Sequence, residues 1–183
     1  MQYKIRRKHT MSLDKQAKSN KQIYNLCIAA LFLGLNIAAS SVGIPVPGGH
    51  FYLNDVVICT AALLLNPLYA TLVGGVGAFL GDVFFYPAPM FVSLVVRGLQ
   101  ALAISLIVNK MNKRKRTSGI IGVAVGAVIM VVGYTLGRAY VYSTPEYAIL
   151  KLPFQIAMAV IGGAAAIILV YVLKLGKIKD KYF

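Results

Sequence analysis

The fold is decided by residues 66–109, which read NPLYATLVGGVGAFLGDVFFYPAPMFVSLVVRGLQALAISLIVN. Two apolar runs, 67–86 and 90–109, flank a Pro-Ala-Pro turn. Each run has the length of about 20 residues that a helix needs to cross the hydrocarbon core of a bilayer. Pro67 suits the first turn of a helix, because its missing N–H would have no partner there. The stretch therefore predicts two membrane helices joined by a tight turn.

Similar apolar runs cover most of the remaining chain, at 23–42, 51–65, 120–142 and 152–175. The sequence therefore predicts an all-α, polytopic membrane protein with six transmembrane helices in a domain of residues 23–175. The second run is short, about 22 Å as a helix, so it either tilts little or does not fully cross. Basic tails at 1–22 and 176–183 flank the domain. With 58% hydrophobic and 13% charged residues, the composition disfavours a soluble enzyme.

The basic residues indicate the orientation of the helices. Most of the 19 Lys and Arg residues lie at 4–21, 110–116 and 174–181, whereas the loops 41–50, 87–89 and 143–150 contain none. Because such residues are retained on the cytoplasmic side, both termini are predicted to be cytoplasmic. This topology and attraction to the anionic lipid of the bilayer account for the net charge of +14, so no nucleic-acid partner is expected.

The remaining charges lie near the predicted outer ends of the helices. Asp55 begins the second helix, Asp82 ends the third, and Arg138 lies near the outer end of the fifth. Arg97 lies about 10–12 Å into the fourth helix, and Glu146 lies in the last outer loop. Ionisable groups at membrane depth face a bundle interior or a water-filled cavity. Two interpretations stay open: Asp82 pairs with Arg97 and Asp55 with Arg138 to pin the helices, or these groups line an outward-open pocket.

Helical spacing places further polar side chains beside these charges. Three stripes are predicted, namely Ser93, Arg97 and Gln100; Tyr134, Arg138 and Val141; and Lys151, Gln155 and Met158. Such a lining is typical of a site for a small, polar, ring-bearing ligand. Tyr52 and Tyr142 are candidates for stacking on the ligand, whereas most of the other boundary tyrosines, Tyr86, Tyr140 and Tyr147, are interpreted as an aromatic belt. The candidate substrate-binding residues are His50, Tyr52, Asn54, Asp55, Asp82, Ser93, Arg97, Gln100, Tyr134, Arg138, Tyr142, Glu146 and Gln155.

The sequence contains no catalytic, phosphate-binding or metal-binding motif, so we expect no enzyme activity, no cofactor and no metal. Cys27 and Cys59 lie in different spans and are not expected to form a disulfide. Glycines of the third and fifth helices are interpreted as internal packing faces. The series Ala30, Gly34 and Ala38 forms a groove of small residues that either packs internally or docks another membrane subunit.

Residues 48–84, GGHFYLNDVVICTAALLLNPLYATLVGGVGAFLGDVF, precede a Pro-opened helix with Arg97-Gly98. Together with the Ala30, Gly34 and Ala38 series, this pattern resembles the substrate-binding S components of energy-coupling factor (ECF) vitamin transporters. The resemblance covers residues 26–173. It implies a subunit of a prokaryotic plasma membrane that captures a vitamin at the extracellular side, with the loop between helices 1 and 2 as a lid.

The resemblance also implies the partners. A transmembrane coupling subunit, which the Ala30, Gly34 and Ala38 series would face, and two cytoplasmic ATPases would tilt the loaded protein to release its ligand inside. The pattern of helices 2 to 4 is most similar to the branch for hydroxymethylpyrimidine and the vitamin B6 group. Pantothenate, riboflavin and folate remain open as ligands. A structural or regulatory membrane protein, whose charges only pin the helices, is the alternative of another class.

Overall fold

The computed structural model describes residues 2–46, 49–111, 116–173 and 175. This part of the chain forms six helices, α1 (Gln2–Ser41), α2 (Asn54–Leu64), α3 (Pro67–Phe85), α4 (Met90–Met111), α5 (Arg116–Tyr142) and α6 (Pro145–Val172). Three of them contain a π-helical turn, at Leu72–Val76, Arg138–Tyr142 and Ile168–Val172. Two short antiparallel strands, β1 (Gly43–Val46) and β2 (Gly49–Tyr52), join α1 to α2.

The helical class of the prediction is confirmed. Within the described residues, five helical segments are long and apolar enough to cross a membrane, namely Gln22–Ser41 and the helices α3 to α6. The predicted second span corresponds to α2, whose 11 residues extend about 16 Å, roughly half of the hydrocarbon core. The count of six spans and the cytoplasmic position of both termini therefore remain predictions.

Three segments differ from the sequence-based expectation. The first helix begins at Gln2, so the backbone of the basic tail is helical and continuous with the first span. The loop predicted at 41–50 contains β1 and the start of β2. Most of the loop predicted at 143–150 is helical, because Thr144 caps α6 by accepting a hydrogen bond from the backbone N–H of Tyr147 at 3.4 Å.

Glycines let α3 pack closely against a helix on each side. A Cβ added to Gly77 would lie 2.6 Å from Nδ2 of Asn36 on α1, and one added to Gly74 would lie 2.7 Å from the carbonyl oxygen of Arg97 on α4. Asn36 also donates from Nδ2 to the carbonyl oxygen of Val73 at 2.8 Å, within the π-helical turn of α3. The predicted internal packing of these glycines is therefore confirmed.

The short helix α2 lies inside the bundle, packed against α1, α4 and α6. A Cβ on Gly162 of α6 would lie 2.5 Å from Cβ of Asp55, so only a glycine allows α6 to approach the first turn of α2 this closely. Further along α2, Ile58 is fully buried in an apolar core that also contains Ile104 and Val108 of α4. This position brings the polar start of α2 to the centre of the bundle.

Candidate functional site

A cavity of about 70 Å³ lies between α3, α4, α5 and α6, next to the end of β2. By the same measure a water molecule needs about 10–15 Å³, so the cavity has room for several waters or a small ligand. Tyrosines, polar groups and two methionines form its wall. The lining residues are Tyr52, Asn54, Asp82, Tyr86, Pro89, Ser93, Arg97, Met130, Tyr134, Arg138, Tyr142, Tyr147, Lys151, Gln155 and Met158.

Most of the candidate residues from the sequence line this cavity. They are Tyr52, Asn54, Asp82, Ser93, Arg97, Tyr134, Arg138, Tyr142 and Gln155. Asp55 and Gln100 are buried behind the wall, where they contact Arg97. Glu146 is exposed and is not part of the lining. His50 lies in β2, but its side chain is outside the part that the structure describes.

Arg97 is the centre of a buried network. Its Nη1 donates to Oδ1 of Asp55 and, at 3.0 Å, to Oε1 of Gln100. Its Nη2 donates to Oδ2 of Asp55 at 3.2 Å and reaches Oδ1 of Asn54 at 3.5 Å. Nε donates to the hydroxyl oxygen of Tyr134 at 3.3 Å. A guanidinium group has five N–H donors, so every donor of Arg97 has a partner within the protein.

The expected ion pairs are wrong. Asp55 pairs with Arg97, and not with Arg138. The reason is the position of α2, which packs against α4 and α6, so that its first turn meets Arg97 on α4. Asp82 forms no ion pair with Arg97, and its Oδ2 is buried without a hydrogen-bond partner in the described part of the chain.

Arg138 has a neutral partner at the other side of the cavity. Its Nη1 donates to Oε1 of Gln155 at 2.5 Å. The amide of Gln155 is held in turn, because its Nε2 donates to the carbonyl oxygens of Met130 at 3.1 Å and Val131 at 3.3 Å. This anchoring fixes which atom of Gln155 faces Arg138 and thereby orients the guanidinium group.

Tyr134 lies between the two arginines. The guanidinium carbon of Arg97 is 5.1 Å and that of Arg138 is 5.9 Å from the centroid of its ring. Its hydroxyl group forms a hydrogen bond of 2.6 Å with Oγ of Ser93. Cation–π contacts of this kind contribute about 0.5–2 kcal/mol each. The ring therefore stabilises both cations and separates them.

The π-helical turn in α5 corrects the predicted stripe. Regular helical spacing places Val141 on the face of Tyr134 and Arg138. The wider turn at Arg138–Tyr142 instead brings Tyr142 to the cavity, and Val141 is 68% exposed. The other two predicted stripes face the bundle interior as expected: that of α4 is buried, and that of α6 lines the cavity.

The tyrosines at the boundary fall into two groups. Tyr140 is 81% exposed, which suits an aromatic belt, whereas Tyr86 and Tyr147 line the cavity. For Tyr147 a signal existed in the sequence, since it precedes Lys151 by one helical turn on the same face. Burial raises the pKa of the Tyr52 hydroxyl, and the Asp82 carboxylate raises it further, so this hydroxyl stays protonated and can donate a hydrogen bond at neutral pH.

The small residues of α1 do not pack inside the chain. Ala30, Gly34 and Ala38 are exposed, and a Cβ on Gly34 would meet no atom within 4 Å. Internal packing, one of the two interpretations, is therefore wrong. The same side of the membrane-spanning part of α1 exposes Leu31 and Leu35, which gives the groove apolar rims.

Among the described residues, no group of three or more His, Cys, Asp or Glu side chains could hold a metal ion, and Cys27 and Cys59 are both free. The lining of the cavity supplies hydrogen-bonding groups, charges and aromatic rings.

Comparison with known proteins identifies the family. The model of the family described as ECF-type riboflavin transporter, S component, matches residues 20–175. The chain is also 33% identical to an "Uncharacterized protein in gap 3'region" of Pyrococcus woesei over 132 residues, which cover 70% of this chain and 86% of the relative. The match spans every described membrane-crossing helix and the cavity between them. The chain belongs to the family of S components of ECF-type riboflavin transporters.

Proposed function

We propose that this chain captures a water-soluble vitamin or vitamin precursor from the extracellular side and holds it in the cavity between α3, α4, α5 and α6. The observation that carries the proposal is the cavity itself, in which tyrosine rings alternate with polar groups. Ligand sites combine apolar and aromatic walls with a few placed polar groups in this way. A purely structural role would explain the pair of Arg97 and Asp55, but it leaves the cavity without a use.

The lining favours a ligand with an aromatic ring. Five tyrosines surround the space, namely Tyr52, Tyr86, Tyr134, Tyr142 and Tyr147, and aromatic rings prefer offset or edge-to-face contacts with another ring. A single substituted heteroaromatic ring can make such contacts. This supports the vitamin B6 group or hydroxymethylpyrimidine as ligand, and riboflavin, named by the family description, is the next candidate. Pantothenate and folate complete the set.

The groove on α1 supports docking of a transmembrane coupling subunit. Small exposed residues four positions apart allow a second helix to approach closely in lipid, where hydrophobic association is weak. The chain has no phosphate-binding loop, so ATP hydrolysis would come from two cytoplasmic ATPase subunits bound to the coupling subunit. The predicted orientation, with both termini cytoplasmic, places the cavity at the extracellular side of a prokaryotic plasma membrane.

A thermal-shift measurement on the detergent-purified protein tests the proposal. A ligand at about 100 times its dissociation constant adds about 2.7 kcal/mol to the free energy of unfolding, which raises Tm by about 5–11 °C in a chain of this size. The panel consists of pyridoxine, hydroxymethylpyrimidine, riboflavin, pantothenate and folate.

A matched pair of variants shows whether the ligand occupies the cavity. Tyr147→Ala removes a ring of the lining and should lose the shift. Tyr140→Ala removes a ring that is 81% exposed and should keep it. Absence of any shift across the panel, with a folded wild-type protein, would refute capture of a vitamin.

A further inference from the structure

We propose that the cavity is a dipolar receptor, in which Asp82 accepts a hydrogen bond from a ligand N–H group and Arg138 with Lys151 binds an anionic oxygen at a second position of the same ligand. The inference rests on the proposed function, because it concerns the same cavity and names the ligand class. The acidic and the basic residues of the cavity, whose roles the sequence alone left open, thereby bind different groups of the ligand.

The pair of Arg97 and Asp55 supports the wall of the cavity and leaves direct recognition to other residues. The two charges neutralise each other, and all five N–H donors of Arg97 are used within the protein. Asp55 is 1% exposed and does not line the cavity. A ligand that entered the cavity would therefore meet no free donor of Arg97 and no oxygen of Asp55.

Asp82 forms one end of the receptor. Among the described lining residues it is the one carboxylate, and its Oδ2 is buried without a hydrogen-bond partner. An ionised carboxylate only accepts hydrogen bonds, and leaving one of its oxygens without a partner away from water costs free energy. A ligand N–H group would supply the missing donor. The buried, unpartnered atom thus defines one end of the receptor.

Arg138 and Lys151 form the other end of the receptor. Arg138 is 8% exposed and donates to the neutral amide of Gln155, and no carboxylate of the described chain lies within ion-pair distance of it. Lys151 is part-buried and lines the same cavity as Arg138. Two cations that line one cavity without a carboxylate partner in the described chain favour an anion there. The ring of Tyr147, 5.9 Å from Nζ of Lys151, adds aromatic surface at this end.

The helices separate the two ends. Asp82 is on α3, whereas Arg138 and Lys151 are on α5 and α6, and α4 packs between α3 and α5. The aromatic ring of Tyr134 lies between the two guanidinium groups. A ligand that satisfies both ends carries an N–H donor and an anionic oxygen at two different positions of its ring. The 3-hydroxypyridine ring of pyridoxine has this form in water, with a protonated ring nitrogen and a phenolate oxygen.

The inference is tested by calorimetric titration of the full-length protein with three pairs of probes. Pyridoxine and riboflavin are each compared with the form methylated at the ring N–H, and pantothenate is compared with pantothenol, which lacks the carboxylate. A charge-assisted hydrogen bond corresponds to about a 10- to 100-fold change in the dissociation constant. We expect N-methylation of pyridoxine to weaken wild-type binding by this factor, and replacement of the pantothenate carboxylate to do the same if pantothenate binds.

Two variants assign the effects to residues. Asp82→Asn should weaken binding of pyridoxine by the same factor and should abolish the discrimination against its N-methylated form. Arg138→Gln should weaken pyridoxine binding and remove any preference for pantothenate over pantothenol. The probe comparisons use the wild-type protein, so they still test the receptor if a variant does not fold.

The possible failures are distinct. If a vitamin binds the wild type but both probe discrimination and the effects of the two variants are absent, the dipolar receptor is refuted and the proposed function stands. If no vitamin of the panel binds the folded wild type, the proposed function is refuted, and this inference with it.

Discussion

Replacing one partner of the buried pair should destabilise the bundle strongly, and replacing both should cost little more. Asp55 and Arg97 are 1% and 3% exposed and share two hydrogen bonds, and Gln100 donates a further one to Asp55 at 3.3 Å. Each charge-assisted bond is worth about 1.5–3 kcal/mol. Asp55→Asn or Arg97→Met alone leaves one charge buried and uncompensated, so we expect a loss of about 3–5 kcal/mol in the free energy of unfolding.

The double variant separates pairing from simple loss of contacts. In D55N/R97M no unpaired charge remains, so its loss should be close to that of one single variant and well below the sum of both. In detergent, a single variant should lower Tm by about 6–20 °C. Asp82→Asn is the matched control, because it removes a carboxylate that has no ion-pair partner in the described chain, and its apo Tm should therefore not fall. Additive losses in the double variant, or single variants whose Tm falls no further than that of the control, would refute the pairing.

Three further predictions concern helix packing and assembly. Gly34→Trp should leave ligand binding and the Tm of the isolated subunit unchanged, because a side chain at this position meets open space. The variant should nevertheless fail to co-purify with the coupling subunit, and normal co-purification would contradict docking at α1. Gly77→Ala should lower Tm by several degrees, because its Cβ would lie 2.6 Å from Nδ2 of Asn36, and an unchanged Tm would show that α1 and α3 can separate without cost. Asn36→Leu should cost about 0.5–1.5 kcal/mol, because it removes the hydrogen bond from Nδ2 to the carbonyl oxygen of Val73. Denaturant titration would measure this against Ser41→Ala, an exposed control on the same helix.

The sequence was sufficient for the features that depend on local pattern. The apolar runs predicted the positions of the long helices, because a bilayer requires each span to satisfy its own backbone. Helical spacing predicted the buried stripe of Ser93, Arg97 and Gln100, since regular geometry holds through the outer half of α4. The helical form of the basic tail was also predictable in principle, since Lys, Arg, Gln and Met are good helix formers.

The features that depend on neighbouring helices were not predictable. Charge and depth alone allow Asp55 to pair with Arg97 or with Arg138, and the choice follows from α2 packing against α4. The local sequence pattern does not indicate the π-helical turn, which brings Tyr142 and not Val141 to the cavity. The strands of the hairpin are only four residues each, too short for an alternating pattern to stand out.

The distribution of buried charge bears on how the ligand would leave the cavity. In the described chain the buried charged residues are Asp55, Arg97 and Arg138, and each belongs to the cavity or its support. Behind them, fully buried apolar side chains such as Ile58 and Ile104 fill the bundle. A hydrated ligand cannot cross this core without separation of packed helices, which interiors at crystal-like density resist. Under the proposed function, release on the cytoplasmic side therefore requires movement of the whole subunit within the membrane. The exposed small groove on α1 gives a partner subunit a surface through which to drive that movement, and the chain alone should bind its ligand without accumulating it.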